Sequence, residues 1–124
     1  MIAGIGIDVV ELARIEKIWM RYGSTFAQKI LHADEFSIMP ENNPIPFLAG
    51  RFAAKEAISK ALGTGLSGGI GFADLCIVKH GSGQPRAILF NAADQAMQRL
   101  GAKTVFISIT HSKDVAAAVA ILEA

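Results

Sequence analysis

The segment of residues 50–65, GRFAAKEAISKALGTG, is the feature that most restricts how this chain can fold. Its alanines favour a helix, no proline interrupts it, and Gly63 stands where a left-handed C-terminal cap would end that helix. Phe52, Glu56 and Lys60 are spaced four residues apart, which places them on one stripe of the helix surface. The sequence therefore predicts a helix with a carboxylate and an ammonium side by side, next to an aromatic ring.

Glu56 and Lys60 allow two interpretations. A glutamate four residues before a lysine is the favoured order for an exposed ion pair on a helix, which contributes about 0.3–0.5 kcal/mol. The alternative is a ligand for a hard divalent cation beside a lysine that binds phosphate. That alternative requires a second acidic ligand and a phosphate-binding surface elsewhere in the chain.

The composition limits the class of protein. The 124 residues suit one domain, residues 1–124, but a hydrophobic content of 52% and a mean hydropathy of +0.39 exceed what a small monomer needs, so we expect an oligomer interface. A net charge of +1 argues against a nucleic acid partner. We expect no membrane association, because no apolar run reaches about 18 residues and residues 1–6 lack a basic signal region. The single cysteine, Cys76, excludes an internal disulfide and indicates a reducing, cytoplasmic compartment.

Residues 2–10 alternate in the manner of a β-strand. Gly4 and Gly6 share a face with Asp8 and leave that face open, so another part of the chain can approach the backbone there. Asp8 allows two roles. It can cap the following helix, with Glu11 as the partner in a capping box, or it can be the second acidic ligand that the central helix requires.

The next segment, residues 11–22, predicts a helix with two distinct stripes. Its apolar positions at helical spacing, expected to face the core, are Leu12, Ile15, Trp19 and Tyr22. Arg14, Lys17 and Arg21 form a basic stripe. This stripe is either a solvated surface or a docking surface for an acidic partner helix, in which case its charge would accelerate association.

Residues 40–46 are a loop by composition, and we expect the central helix to begin at Pro46 and to end at Leu62. The glycine-rich segment that follows, residues 63–71, comes after a helix instead of opening one. The helix-dipole argument for phosphate binding therefore does not apply to it, and a flexible linker and a phosphate-binding loop both remain open.

The C-terminal half predicts a sheet. The expected strands are residues 74–78, 86–90, 105–110 and 115–122, with a helix beginning near Asn91. The last strand is apolar on both faces, so it should be central or buried at an interface. His111 lies in the turn before that strand, and its neighbours Thr110 and Lys113 help to form a rim of donors that suits an anionic phosphate. The whole pattern predicts an α+β domain in which a long helix packs on an antiparallel sheet.

Three segments, in this order and at this chain length, resemble one family: GIGIDVVEL at 4–12, RFAAKEAISKALGTG at 51–65 and SITHS at 108–112. They are similar to the motifs of the small bacterial holo-acyl-carrier-protein synthases, which are 4′-phosphopantetheinyl transferases, and the similarity covers nearly the whole chain. The resemblance implies a fold of that family. It also implies Mg²⁺-dependent transfer of 4′-phosphopantetheine from coenzyme A to a serine of apo-acyl carrier protein, with release of adenosine 3′,5′-bisphosphate.

The resemblance assigns roles to residues of this chain. Asp8 and Glu56 match the metal-binding carboxylates, which agrees with the preference of Mg²⁺ for one or two carboxylates together with phosphate oxygens and waters. Lys60 matches a lysine that contacts the phosphates and is a candidate to protonate the leaving group. The general base is either Glu56 or a metal-bound water. Asp8, Glu56 and Lys60 are thus the candidate catalytic residues.

The resemblance also implies contacts to coenzyme A and to the carrier protein. The candidate cofactor-binding residues are Arg51, Lys60, Gly63, Gly65, Thr110 and His111. Arg14 matches a contact to the acidic recognition helix of the carrier, and Arg21 is expected to join it. Two positions depart from relatives: Val10 replaces a third acidic residue of the larger, surfactin-type enzymes, and Gln84 replaces a lysine that many small members carry.

The larger relatives resemble two copies of this unit side by side, so one copy would carry half a site. The resemblance therefore implies a homotrimer, with Asp8 and Glu56 of one subunit facing the segment 110–111 of the next, and a role in fatty acid biosynthesis. One rival hypothesis is a non-catalytic coenzyme A or nucleotide-binding module, which would not need the two acids together. Another is a small structural oligomer with accidental matches.

Overall fold

The computed structural model describes residues 1–66 and 69–124 and has the predicted α+β architecture. Its elements in chain order are β1 (Ile2–Glu11), α1 (Leu12–Tyr22), α2 (Ser24–Ile30), α3 (Ala33–Phe36), α4 (Ile45–Leu62), β2 (Leu75–His80), β3 (Gln84–Leu89), α5 (Asn91–Arg99), β4 (Thr104–His111) and β5 (Val115–Glu123). A short 3-10 helix, Phe72–Asp74, precedes β2. Ser67 and Gly68, which belong to the predicted glycine-rich segment, lie outside the described residues.

A three-stranded antiparallel sheet in the order β1-β5-β4 forms the centre of the molecule. The doubly apolar strand β5 is central, as predicted, because it pairs with β1 on one side and with β4 on the other, and its two faces are covered differently. Ala116, Ala118 and Ala120 are buried on the face toward α4, while Val119 and Ile121 on the other face remain partly accessible. Strands β2 and β3 form a separate antiparallel hairpin.

Helix α4 packs so closely on β1 that no side chain fits between them at two positions of the strand. A Cβ atom added to Gly6 would lie 1.9 Å from the carbonyl oxygen of Ala57, and one added to Gly4 would lie 2.2 Å from that of Ala61. Real Cβ contacts do not approach so closely, so only glycine fits at either position. The face that the two glycines leave open in the sequence is therefore occupied by the central helix.

The central helix begins one residue before its predicted start and ends as predicted. Gly63 closes it in the left-handed region, with φ of 78°, and donates its N–H to the carbonyl of Lys60. The helix is buried nearly all round. From Leu48 to its last residue, its accessible side chains are Phe52, Glu56 and Lys60, the stripe that the spacing predicted.

The first helix corrects two expectations. It begins at Leu12, and its N-cap residue Glu11 makes no side-chain capping bond, so Asp8 belongs to β1 and is not a helix cap. Tyr22, expected in the core, is 54% exposed. Ile18 is the residue of α1 that packs against the core in its place.

Among the described residues, no helix is both long and apolar enough to cross a membrane.

We expect Gly6→Ala to destabilise the protein by about 3 kcal/mol or more, since overpacking of a rigid site costs about 1–3 kcal/mol and occasionally more. The added methyl group would overlap backbone atoms of α4, which cannot move without displacing the whole helix. Gly71→Ala is the control, because its φ is −107° and nothing lies within 4 Å of the added atom. Urea denaturation of the two variants measures the difference. A Gly6→Ala protein as stable as Gly71→Ala would contradict the close contact.

Candidate active site

The exposed stripe of α4 meets the chain of β1 at Asp8. The Nζ atom of Lys60 donates to Asp8 Oδ1 and to the carbonyl oxygen of Ile7, each at 3.0 Å. The direct ion pair therefore joins residues that lie 52 positions apart, instead of the neighbouring Glu56 and Lys60 of the helix. The Lys60 side chain is 52% exposed and that of Asp8 is 16% exposed, so the pair stands at the boundary between core and solvent.

Glu56 lies close enough to Asp8 for their charges to interact. Partial burial raises the pKa of Glu56, and repulsion by the Asp8 carboxylate raises it further, whereas the positive charges of Lys60 and Arg14 act in the opposite direction. The guanidinium of Arg14 also lies over the ring of Phe52, 5.7 Å from its centroid, one turn of α4 before Glu56. Two acids from distant parts of the sequence thus converge between two cations.

This donor set fits a magnesium ion. Partial burial and repulsion by Asp8 both disfavour the charged form of Glu56, and a divalent cation between the two carboxylates would oppose both effects. Mg²⁺ is bound in proteins by one or two carboxylates, with the remaining positions taken by waters and substrate phosphates. Asp8 and Glu56 are the residues that would hold it.

Other predicted site residues lie at different distances from this group. Gly63 and Gly65 follow the last turn of α4, just beyond Lys60, and both have a positive φ. Thr110 and His111 are the last two residues of β4 and are exposed, so His111 belongs to the strand and not to the turn that was predicted for it. Because β5 lies between β1 and β4, these two residues stand about 10 Å across the sheet from β1, at roughly 4.8 Å per strand. Within one chain, Thr110 and His111 are therefore not in contact with Asp8.

Arg51 is placed away from Asp8. Its side chain is buried, its guanidinium lies 4.4 Å from the ring centroid of Phe47, and its Nε atom is 3.2 Å from Glu35 Oε2. Its Nη2 atom is buried without a hydrogen-bond partner among the described residues, so the side chain keeps one unused donor group. A contact between Arg51 and coenzyme A stays a prediction.

The sequence analysis missed a buried charged cluster beneath the site. Glu35 and Lys55 are both fully buried and form an ion pair across the core, and Arg51 lies beside them. A sequence signal for Lys55 exists, because it lies off the stripe of Phe52, Glu56 and Lys60 that the spacing predicts, on a side of the helix that also carries Ile58 and Leu62. Glu35 carries no such signal, since it stands in the polar segment His32-Ala33-Asp34.

A second set of potential metal ligands lies near that cluster. Ligand atoms of His32, Asp34 and Cys76 are within 4.8 Å of one another. His32 Nδ1 already accepts the main-chain N–H of Asp34 at 3.1 Å. Burial raises the pKa of the Cys76 thiol, with the charge of Glu35 adding to the effect, which opposes the thiolate form that binds metals. We therefore assign no metal to this group.

The fold is shared with solved structures of one kind of enzyme. A holo-(acyl-carrier-protein) synthase from Neisseria meningitidis superposes with a TM-score of 0.92 at 35% identity, and the match covers 100% of both chains. The holo-(acyl-carrier-protein) synthase from Helicobacter pylori, solved in complex with coenzyme A, has a TM-score of 0.84 at 33% identity, over 96% of this chain and 99% of that one.

Sequence similarity leads to the same group. The sequence profile of the 4′-phosphopantetheinyl transferase superfamily matches residues 4–120. The chain therefore belongs to the 4′-phosphopantetheinyl transferase superfamily, a class of enzymes that transfer a group. Within this class, a holo-(acyl-carrier-protein) synthase of Nitratidesulfovibrio vulgaris is 53% identical over 123 residues, which are 99% of each chain. The resemblance inferred from the three sequence segments is confirmed.

We expect Glu56→Gln to stabilise the metal-free protein at neutral pH. Because the folded state raises the pKa of Glu56 above its usual value of 4.5, the folded protein binds that proton more tightly than the unfolded chain does. Ionisation of Glu56 therefore costs stability as the pH rises through the raised pKa, and this cost is absent below the usual value.

Thermal unfolding in a chelating buffer measures the effect. The melting temperature of Glu56→Gln should exceed that of the wild type at pH 7, and the difference should vanish toward pH 4. Glu16→Gln, which changes an exposed carboxylate on α1, is the control and should differ little from the wild type at either pH. A Glu56→Gln protein that is less stable than the wild type at pH 7 would contradict the unfavourable charge.

Proposed function

We propose that this protein transfers 4′-phosphopantetheine from coenzyme A to a serine of apo-acyl carrier protein, with Mg²⁺, and releases adenosine 3′,5′-bisphosphate. The observation that carries the proposal is the convergence of Asp8, Glu56 and Lys60 in a chain of this superfamily. The reaction would serve fatty acid biosynthesis in the cytoplasm, which agrees with the single buried cysteine.

The chemistry follows from the charges at the site. The serine oxygen of the carrier attacks the phosphorus that bears the pantetheine arm, the bond from that phosphorus to the bridging oxygen breaks, and the serine loses its proton. The proton acceptor would be either Glu56 or a water bound to the metal, and both lie at the same carboxylate site. Bound Mg²⁺ would neutralise charge on the pyrophosphate.

Lys60 would serve the other side of the reaction. Its ammonium is half exposed and is held at the carboxylate of Asp8, so it can turn toward a phosphate that binds there. A cation at that position stabilises the negative charge that develops on the departing phosphate, and it can donate a proton to it. Gly63 and Gly65 would allow the cofactor to lie along the backbone just beyond Lys60.

The carrier protein would dock on α1. Arg14, Lys17 and Arg21 are all exposed on this helix, and Arg14 acts electrostatically on Glu56, so a partner bound there stands next to the reacting group. A groove of about 570 Å³ beside these cations is mostly apolar and is lined in part by Ile18, Tyr22, Phe26 and Phe52. Basic residues beside an apolar groove suit an acidic amphipathic helix.

Self-association would complete the site. Ile5, Ile7 and Val9 lie on the face of β1 away from α4 and are 61%, 66% and 64% exposed, and Phe106 continues this apolar face on β4. An uncovered apolar sheet face indicates an interface. In a homotrimer this face would be buried, and Thr110 and His111 of one subunit would approach Asp8 and Glu56 of the next.

The test of the function is the mass of the carrier. We expect apo-acyl carrier protein incubated with the protein, coenzyme A and Mg²⁺ to gain one phosphopantetheine group, and Glu56→Gln to abolish that gain. Arg14→Glu should raise the KM for the carrier roughly tenfold or more, since losing a close charge pair across an interface costs about 1.5 kcal/mol or more. The KM for coenzyme A should stay unchanged.

Arg99→Glu reverses an exposed charge on α5 and serves as the matched control for the docking surface. It should leave both KM values unchanged. Equal losses for carrier and coenzyme A in Arg14→Glu would remove α1 from carrier docking. Binding of coenzyme A without any mass gain of the carrier would favour the non-catalytic module and overturn the enzyme proposal.

We further expect Ile5→Glu to convert the trimer into a monomer, because three buried glutamates would face one another or apolar residues at the interface. Static light scattering coupled to gel filtration gives the mass of each species. Ile38→Glu is the control: Ile38 is 52% exposed but lies after α3, outside the sheet face, and its replacement should leave the trimer intact. A wild-type protein that is monomeric at micromolar concentration would contradict the proposal.

A further inference from the structure

The ammonium of Lys55 joins three separate segments of the chain inside the core. Its Nζ atom donates to the carbonyl of Ile30 at 2.7 Å, to Glu35 Oε1 at 2.5 Å and to the carbonyl of Phe72 at 3.1 Å. These acceptors lie at the end of α2, in α3 and just after the glycine-rich segment, residues 63–71. Lys55 itself is fully buried in the middle of α4.

Glu35 completes this arrangement from the other side. Its Oε1 atom also accepts the N–H of His32 at 2.9 Å, and its Oε2 atom accepts the N–H of Ile77 in β2 at 3.0 Å. Burial lowers the pKa of Lys55, and the charge of Glu35 opposes that effect. These hydrogen bonds tie α4 to α2 and α3, which precede it in the chain, and to Phe72 and β2, which follow the glycine-rich segment.

Stability alone is a weak explanation for such a pair. A buried ion pair gains little over a well-packed apolar pair, because desolvation of two charges offsets their attraction. What distinguishes the pair is its geometric specificity, because the three acceptors of Lys55 fix where each segment lies relative to α4. One of these acceptors, the carbonyl of Phe72, is the anchor closest to the candidate cofactor residues Gly63 and Gly65.

The same anchor reaches the docking side of the site. The ring of Phe72 stacks on the ring of Phe52 with centroids 5.6 Å apart, and the guanidinium of Arg14 lies over Phe52. Lys55 is the immediate neighbour of Glu56 and lies five residues before Lys60 on the same helix. The position of one buried ammonium therefore links the candidate catalytic stripe to the end of the glycine-rich segment.

We propose that Lys55 is a positioning residue for coenzyme A: by holding the carbonyl of Phe72 against α4, it fixes where residues 69–71 lie for the cofactor that binds beside Lys60. The inference rests on the proposed transferase function. It assigns to Lys55 a role in cofactor binding, and leaves the transfer step to Asp8, Glu56 and Lys60. Lys55 touches neither substrate in this arrangement.

The test removes the Lys55 ammonium and leaves Glu35 with a partner. Lys55→Met keeps the shape of the side chain and removes the bond to Phe72, while the Glu35 carboxylate keeps the guanidinium of Arg51 and the N–H groups of His32 and Ile77. For this variant we expect the KM for coenzyme A to rise about tenfold, with kcat at saturating coenzyme A changed less than about threefold and the KM for the carrier unchanged.

A second measurement is independent of activity. Hydrogen exchange of the amides in residues 69–74 should be at least about tenfold faster in Lys55→Met than in the wild type, if the bond from Lys55 holds Phe72 in place. Calorimetric titration of coenzyme A should show the same weakening as the KM. Leu48→Ala, which removes buried volume two turns earlier in α4, controls for general destabilisation and should leave the affinity for coenzyme A unchanged.

Two outcomes would overturn the inference. Unchanged coenzyme A affinity in a folded Lys55→Met protein would show that Lys55 has a structural role only, and an equal loss of affinity in Leu48→Ala would attribute the effect to overall stability. Failure of the proposed function is a different result, because the wild type would then bind coenzyme A without modifying any carrier.

Discussion

The contact between α4 and the two glycines of β1 is the constraint on which the rest of the structure depends. Gly4 and Gly6 let the carbonyls of Ala57 and Ala61 approach the strand more closely than any side chain would permit. This contact fixes the rotation of the helix about its axis, so its one accessible stripe lies at the side of β1. Asp8 follows directly in the same strand, and Lys60 therefore reaches its carboxylate. The candidate site is a consequence of this packing.

Helix α4 carries two lysines with opposite environments and correspondingly different physical roles. Lys60 is half exposed and pairs with Asp8, so its charge is screened and can be redirected to an incoming phosphate. Lys55 is fully buried and bonds to Ile30, Glu35 and Phe72, an arrangement that cannot change without breaking several bonds at once. The same helix therefore carries an exposed ammonium at the candidate site and a buried, fully hydrogen-bonded ammonium in the core.

The sheet explains why a chain of this size would work as an oligomer. Helix α4 covers one face of the sheet, and the opposite face exposes Ile5, Ile7, Val9 and Phe106 to solvent. The same three-stranded order keeps Thr110 and His111 two strands away from Asp8. In the proposed trimer, one assembly would therefore both cover the apolar face and bring Thr110 and His111 of one subunit toward Asp8 of the next.

The sequence by itself determined the features that depend on near neighbours: the extent of α4 with its cap at Gly63, the central place of the doubly apolar β5, and the family, through motifs that need no structure to be recognised. Only the tertiary structure decided which groups meet. It excluded Asp8 as a helix cap, joined it to Lys60 in place of Glu56, exposed Tyr22 and buried Lys55 with Glu35. The physical reason is that periodicity reports the face on which a residue lies, whereas the partner of a charge depends on distant segments that only packing brings together.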